Sequence, residues 1–235
     1  MSLEQPFPDR RTAGRALARE LAGRHLAAPV VLALPRGGVP VAAEIADALG
    51  APLDIVLVRK IGVPFQRELA AAAVVDGGEP EVVVNHDVVL SAGITRDWID
   101  AQAERELEEI ERRRRAYLPG RERVPLEGRT AILVDDGIAT GASVRAALKA
   151  VRRKRPEALI LAVPVAPPET IEELKGEVDE IVCLRTPEPF YAIGIHYADF
   201  HQLSDAEVVR LLAEHGSAPS RLPPAGAERG RSQEE

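Results

Sequence analysis

The stretch 131-AILVDDGIATGASVRAAL-148 decides the fold. Aliphatic residues 131–134 run straight into Asp135 and Asp136, then a Gly/Thr/Ser cluster, then a helical pattern. Adjacent carboxylates repel each other, and core packing gives no reason for them. A strand ending there, with a helix starting after the turn, supplies one. Ligands of open α/β sheets sit beyond the carboxyl ends of the strands. Backbone N–H groups at a helix opening are unpaired and point at any anion in the turn. Gly137 and Gly141 let the backbone approach a phosphate, and Thr140 and Ser143 offer hydroxyl donors. The turn reads as an anion cup beside two carboxylates, which suits a sugar phosphate whose hydroxyls the acids accept. A plain polar turn capping a helix would use similar residues. Two acids plus T-G-A-S in one strand-to-helix turn form a rarer combination.

The flanking sequence repeats the same alternation. Segment 9-DRRTAGRALARELAGRHLAA-28 has the spacing of an amphipathic helix. The run 29-PVVLALP-35 reads as a strand ending in 36-RGGVP-40, and 41-VAAEIADALG-50 as a helix stopped by Gly50. The second aliphatic run, 53-LDIVLVRK-60, completes a βαβ unit. Segment 61-IGVPFQRE-68 has no periodicity and reads as a loop, while 69–75 and 81–85 read as a hairpin around the turn 76–80. A long charged helix, 96–117, is expected behind an N-cap at Thr95, with Arg112 to Arg115 reading as a solvated helix end that complements the carbonyl dipole or as a phosphate patch. Trp98 on it suits core or interface. Strands at 157–166 and 178–185 flank a helix at 168–176. Ser204 and Glu207 form a capping box for a last helix, 204–216. The pattern predicts an α/β fold: an open, mostly parallel sheet flanked by helices. The core is expected over 9–185, a small C-terminal hood over 186–216, and a disordered tail over 217–235.

Composition excludes several classes. The chain has 235 residues and is 46% hydrophobic, enough for a sizeable core in one domain or one domain with an appendage. A formal charge of -7 argues against nucleic-acid binding through a basic face. With one cysteine, Cys183, there is no intramolecular disulfide, and its place in an aliphatic strand predicts a buried, inert thiol. No signal peptide or membrane-length apolar run is evident, so the expected address is the cytoplasm. The five histidines lack metal-ligand spacing, which predicts no zinc site. There is no G-x-x-x-x-G-K-[ST], and no G-x-G-x-x-G follows the first strand.

The stretch 132-ILVDDGIATGAS-143 resembles the phosphoribosyl-diphosphate (PRPP) motif of type I phosphoribosyltransferases, and the element order resembles that family over residues 9–215. The resemblance implies that Asp135 and Asp136 serve the ribose hydroxyls and lie near Mg²⁺. It implies that Gly137, Ala139, Thr140, Gly141, Ala142 and Ser143 bind the phosphoribosyl group, the last five around the 5-phosphate. The turn 35-PRGG-38 matches the pyrophosphate loop, with Arg36, Gly37 and Gly38 as ligands and an Arg36–Gly37 peptide that is often cis. Arg59 and Lys60, ending the second strand, are expected to face the same pocket as catalytic cations with Arg36, although charged residues also end strands for solvation. The 61–68 segment matches the family's flexible closing loop. Phe190 and Tyr191 suit either an acceptor base or packing of the hood, and His196 and Tyr197 likewise. Purine-specific members often carry an acid where this chain has Ala139, so a hypoxanthine/guanine-type activity is in doubt. The implied reaction is Mg²⁺-dependent transfer of phosphoribose from PRPP to a nitrogenous acceptor by a homodimer. The alternative is a non-catalytic PRPP- or nucleotide-binding regulator.

Overall fold

Strands β1 (Val30–Ala33) and β6 (Thr130–Val134) are buried on both faces. Continuous aliphatic runs without polar alternation require that environment. The structure, a computed structural model, describes residues 5–64, 66–76 and 81–215. Five parallel strands run in the order β2-β1-β6-β7-β8, with β2 Leu53–Ile55, β7 Ala158–Val165 and β8 Glu180–Arg185. Alternate side chains feed two cores. Val31, Ala33, Ile132 and Val134 join one core with α1 (Arg10–Ala22), α2 (Gly38–Leu49) and α7 (Asp205–His215). Val30, Leu32, Ala131 and Leu133 join the other, under α5 (Ala142–Arg153) and α6 (Pro168–Leu174). The expected open parallel sheet flanked by helices is therefore present. Among the described residues no helix is long and apolar enough to cross a membrane.

The middle of the chain differs from the sequence reading. The run 53–60 is not one strand. It leaves the parallel sheet after Ile55 and re-forms as β3 (Val58–Val63) in a second, antiparallel sheet with β4 (Gln66–Val75) and β5 (Glu81–Val84). Nor is 61–68 a loop: Ile61–Val63 and the start of β4 are paired, with register shifts at Gly62 that hide the strand period. Helix α2 opens at Gly38, ahead of the expected start, and a short helix, α3 (His86–Ala92), was not anticipated. The long helix α4 (Arg96–Tyr117) and its Thr95 cap agree with the reading, as does the Ser204–Glu207 box of α7. Trp98 is half-buried and packs on the core. The turn at 77–80 and the tail 217–235 lie outside the described residues.

A buried ion cluster fastens the second sheet to the first. Arg114 of α4 donates to Asp54 on β2 (3.0 Å) and to Asp76 at the end of β4 (2.9 Å). Arg123 also pairs with Asp76, and the Val124 amide donates to Asp54 at 3.0 Å. Removing one partner of such a network strands the others without solvent. Arg114→Leu should therefore cost about 3–5 kcal/mol, read as a lower midpoint in urea unfolding at neutral pH.

Candidate active site

The chain turns outward from β1 to β2 on one side and from β6 to β7 and β8 on the other, so the sheet order reverses between β1 and β6. A crevice opens above such a reversal. Two turns meet there. One is 35–38, leading into α2; the other is 135–141, leading into α5. Neither helix has a side-chain cap on its first turn. The first turn of α5 therefore presents its amides and the positive end of its dipole at the crevice, whereas in α2 the Gly38 and Val39 amides donate to the Leu34 and Arg36 carbonyls (3.0 and 3.2 Å) and Pro40 has none, so α2 offers its dipole alone.

Glycines allow the turns to close on each other. A Cβ on Gly37 would lie 2.1 Å from Asp136 Oδ2, so only a bare α-carbon fits against that carboxylate. Gly141 caps α5 in the left-handed region (φ 71°), and a Cβ there would come within 3.0 Å of Thr170. The Thr170 hydroxyl donates to the Ala139 carbonyl at 2.9 Å and holds the 139–143 loop from behind. Ala139, Thr140 and Ala142 are exposed at the mouth, and Ser143 is half-buried.

The two aspartates differ. Asp136 is buried, and its Oδ2 accepts from Arg10 Nε at 2.7 Å. The Tyr197 hydroxyl donates to the Asp136 backbone carbonyl at 2.6 Å. Asp135 remains partly exposed. Its Oδ1 accepts the Asp136 amide at 2.9 Å, and Oδ2 has no partner among the described residues. Burial, and then the charge of Asp136, push the Asp135 carboxyl well above its ordinary 3.8. Asp136 is raised by burial as well, but the hydrogen bond and charge of Arg10 oppose the rise. Burial also pushes the Tyr197 phenol well above its usual value.

These features converge with a family match: the phosphoribosyl transferase domain fits residues 11–197. The chain belongs to the phosphoribosyl transferase family. A Mycobacterium tuberculosis (strain H37Rv) protein named provisionally as a phosphoribosyl transferase is 48% identical over 206 residues, covering 88% of this chain and 46% of that protein. Its counterpart in strain CDC 1551 gives the same figures. The chain thus spans just under half the length of the curated relatives it matches. The crystal structure of TT1426 from Thermus thermophilus superposes with a TM-score of 0.79 at 43% identity, covering 91% of this chain and 100% of that one.

In this member of the phosphoribosyl transferase family, the structure brings Gly37 against Asp136 and Gly38 against Asp135, while Gly137 faces Ile193 and Val165. The cis peptide in this turn is Pro35–Arg36, one bond earlier than the expected Arg36–Gly37. Arg36 reaches toward Asp205 at the start of α7 (3.8 Å), which also accepts from the Tyr117 hydroxyl at 2.6 Å. Arg59 and Lys60 do not end a strand of the parallel sheet. They sit on β3, where Arg59 pairs with Glu106 at 2.6 Å. Lys60 is exposed and lines a cleft with Gly62, Trp98 and Gln102. Phe190 stacks on His196 (5.7 Å between ring centroids), whereas Tyr191 is 78% exposed. Cys183 is half-buried, and burial pushes its thiol up to about 11.

Arg10, Phe200 and Asp205 were missed by the sequence reading. For Arg10 no local signal existed, because Asp9, the N-cap directly before it, already supplies an acid at that helix end.

The raised Asp135 has a measurable consequence. The folded state keeps a proton there that the unfolded chain releases near pH 3.8. This group's contribution is thus most favourable at low pH and is lost as pH rises through 3.8 toward the raised value. Asp9 and Asp179 are depressed and slope the other way. The difference in urea midpoint between wild type and Asp135→Asn, followed upward from pH 4, should move in the variant's favour.

Proposed function

We propose that the protein transfers the phosphoribosyl group of PRPP to a nitrogenous acceptor and releases pyrophosphate, with Mg²⁺. One observation carries the reading: the 35–38 turn is pressed against the acid pair, where a Cβ on Gly37 would lie 2.1 Å from Asp136 Oδ2 and one on Gly38 3.0 Å from the Asp135 Cα, and the chain after that pair opens α5 without a side-chain cap. Two glycine turns meeting at a pair of acids suit a ligand that carries both phosphates and hydroxyls.

In this reading the 139–143 loop and the start of α5 hold the 5-phosphate. The 36–38 turn, the start of α2 and Arg36 hold the pyrophosphate. Asp135 accepts hydrogen bonds from the ribose hydroxyls and gains from shedding its proton once a cationic or hydroxyl partner arrives. The acceptor nitrogen forms a bond to C1 while the C1–O bond to pyrophosphate breaks. The leaving pyrophosphate takes the electron pair, and the nitrogen's surplus proton passes to solvent. Positive charge on the ribose and negative charge on the leaving group both build up. Fixed dipoles and Arg36 stabilise the second without reorganising.

Among the described residues no three His, Cys, Asp or Glu side chains gather to hold a metal. Asp135 Oδ2 suits a hard ion that keeps most of its ligands from water and phosphate oxygens. When bound there, Mg²⁺ neutralises charge on the leaving pyrophosphate. Asp136 is expected to share this role only through its outer oxygen, because Oδ2 belongs to Arg10. Alanine at position 139 offers no base. The acceptor is therefore a nitrogen nucleophilic without deprotonation, facing Phe190 and the exposed Tyr191. The proposed assembly is a homodimer.

A non-catalytic PRPP-binding role is the second reading. It is favoured by the Arg59–Glu106 pair, which neutralises one of the expected cations. Pyrophosphate release from PRPP and Mg²⁺, across a panel of purines, pyrimidines and small amines, separates the two. Acceptor-stimulated release that disappears in Asp135→Asn is the expected result. The same variant should weaken PRPP in calorimetry by about ten- to a hundred-fold, the worth of hydrogen bonds to a charged group. PRPP binding with no release across the panel selects the regulator, and unchanged affinity in Asp135→Asn removes the site assignment.

A further inference from the structure

Arg10 does more than neutralise a buried acid. Its guanidinium touches three things at once. Nε donates to Asp136 Oδ2 at 2.7 Å, Nη1 donates to the His201 carbonyl at 3.0 Å, and the plane lies 3.9 Å from the centre of the Phe200 ring. The Phe200 ring stacks on Tyr197 at 5.1 Å, and the Tyr197 hydroxyl returns to the Asp136 carbonyl at 2.6 Å. The contacts close a circuit: Arg10, Asp136, Tyr197, Phe200 and back to Arg10. Asp136 is gripped at its side chain and its main chain, from two directions.

The circuit ties the segment 193–203 to the strand end that carries Asp135. Ile193 begins that segment, in a 3-10 turn over Ile193–His196, and its side chain lies where a Cβ on Gly137 would stand (2.6 Å). The chain before α1 braces it from outside. The Phe7 amide donates to the His196 carbonyl and the Ala198 amide to the Phe7 carbonyl, each at 2.8 Å. The Asp199 amide donates to the Pro8 carbonyl at 2.9 Å, and Phe7, Ala13 and Tyr197 form a small core of their own, with Leu184, Ile193 and Phe200 at its margin. A segment with so few apolar contacts depends on its polar anchor.

We infer that Arg10 is a positioning residue. One guanidinium does two separable jobs: its charge holds the acid pair, and its fork and flat face strap the 193–203 segment over the same crevice. The strap is a property of the ligand-free protein; only its consequence for PRPP rests on the function proposed above.

The test uses Arg10→Met, Arg10→Lys and Phe200→Leu in the full chain, with two readouts. Hydrogen exchange without ligand reports the strap, and calorimetry with PRPP and Mg²⁺ reports the acids. Lysine keeps a charge for Asp136 but cannot fork to the His201 carbonyl or lie flat on a ring. Arg10→Lys and Phe200→Leu should each raise exchange across 193–203, leave β6 and β7 protected, and hold PRPP affinity within a few-fold. Arg10→Met should also lose roughly ten- to a hundred-fold in PRPP affinity, as outer partners of ligand carboxylates do. If Arg10→Met fails to fold, the other two variants still decide. Wild-type protection of 193–203 in both of them, or faster exchange spread evenly through the sheet, overturns the inference. If the wild type does not bind PRPP, the function proposed above fails, while the exchange arm still decides the strap.

Discussion

The pairing of β1 with β6 is the constraint on which the site depends. Their register sets Ala33 opposite Val134, and the ladder runs one residue further, with the Leu34 amide donating to the Val134 carbonyl at 2.9 Å. Both strands therefore end at the same level, and the turns after them share one crevice. The first turn of α2 leans on the end of β6, where a Cβ on Gly38 would sit 2.6 Å from the Val134 carbonyl. A larger residue there would push α2 away and separate the two turns. The register is itself secured by burial on both faces, because a one-residue slip would exchange the two cores.

That arrangement was largely legible in the sequence. Unbroken aliphatic runs ending in polar turns have few other uses, so β1, β6, β7 and β8 and the helices between them follow from pattern alone. The 35–38 and 135–143 turns were readable because glycines, acids and hydroxyls crowd into a few positions. Arg59 and Lys60 were misplaced for a specific reason. Residues 53–60 are apolar enough for one strand, and nothing in their composition records that the chain changes sheets between Ile55 and Val58. The departure depends on Asp54, Asp76 and Arg114, which are far apart in the chain and look like ordinary surface charges until they meet.

The second sheet shows the same limit from another side. Strands β3 and β4 pair with register shifts at Gly62, and a shifted strand loses the period of two by which it would be recognised. The closing loop inferred from family resemblance is therefore the end of a hairpin anchored at its base by buried charge. Ile61 is buried and its strand is paired, so residues 61–63 belong to the sheet rather than to a free loop.

The acid pair shows why a motif alone underdetermines a site. In sequence, Asp135 and Asp136 are equivalent, two carboxylates at a strand end. Successive side chains of an extended segment point to opposite faces, so the two cannot share one environment. Asp136 turns toward α1 and Gly37, where burial would be prohibitive for a lone carboxylate, and the fold meets that cost with Arg10. Asp135 turns to the open side without an ion pair of its own among the described residues, and burial and the charge of Asp136 raise its carboxyl. The difference follows from the strand's geometry and not from the residue type. It leaves one acid committed to the fold and the other without a salt bridge at the crevice.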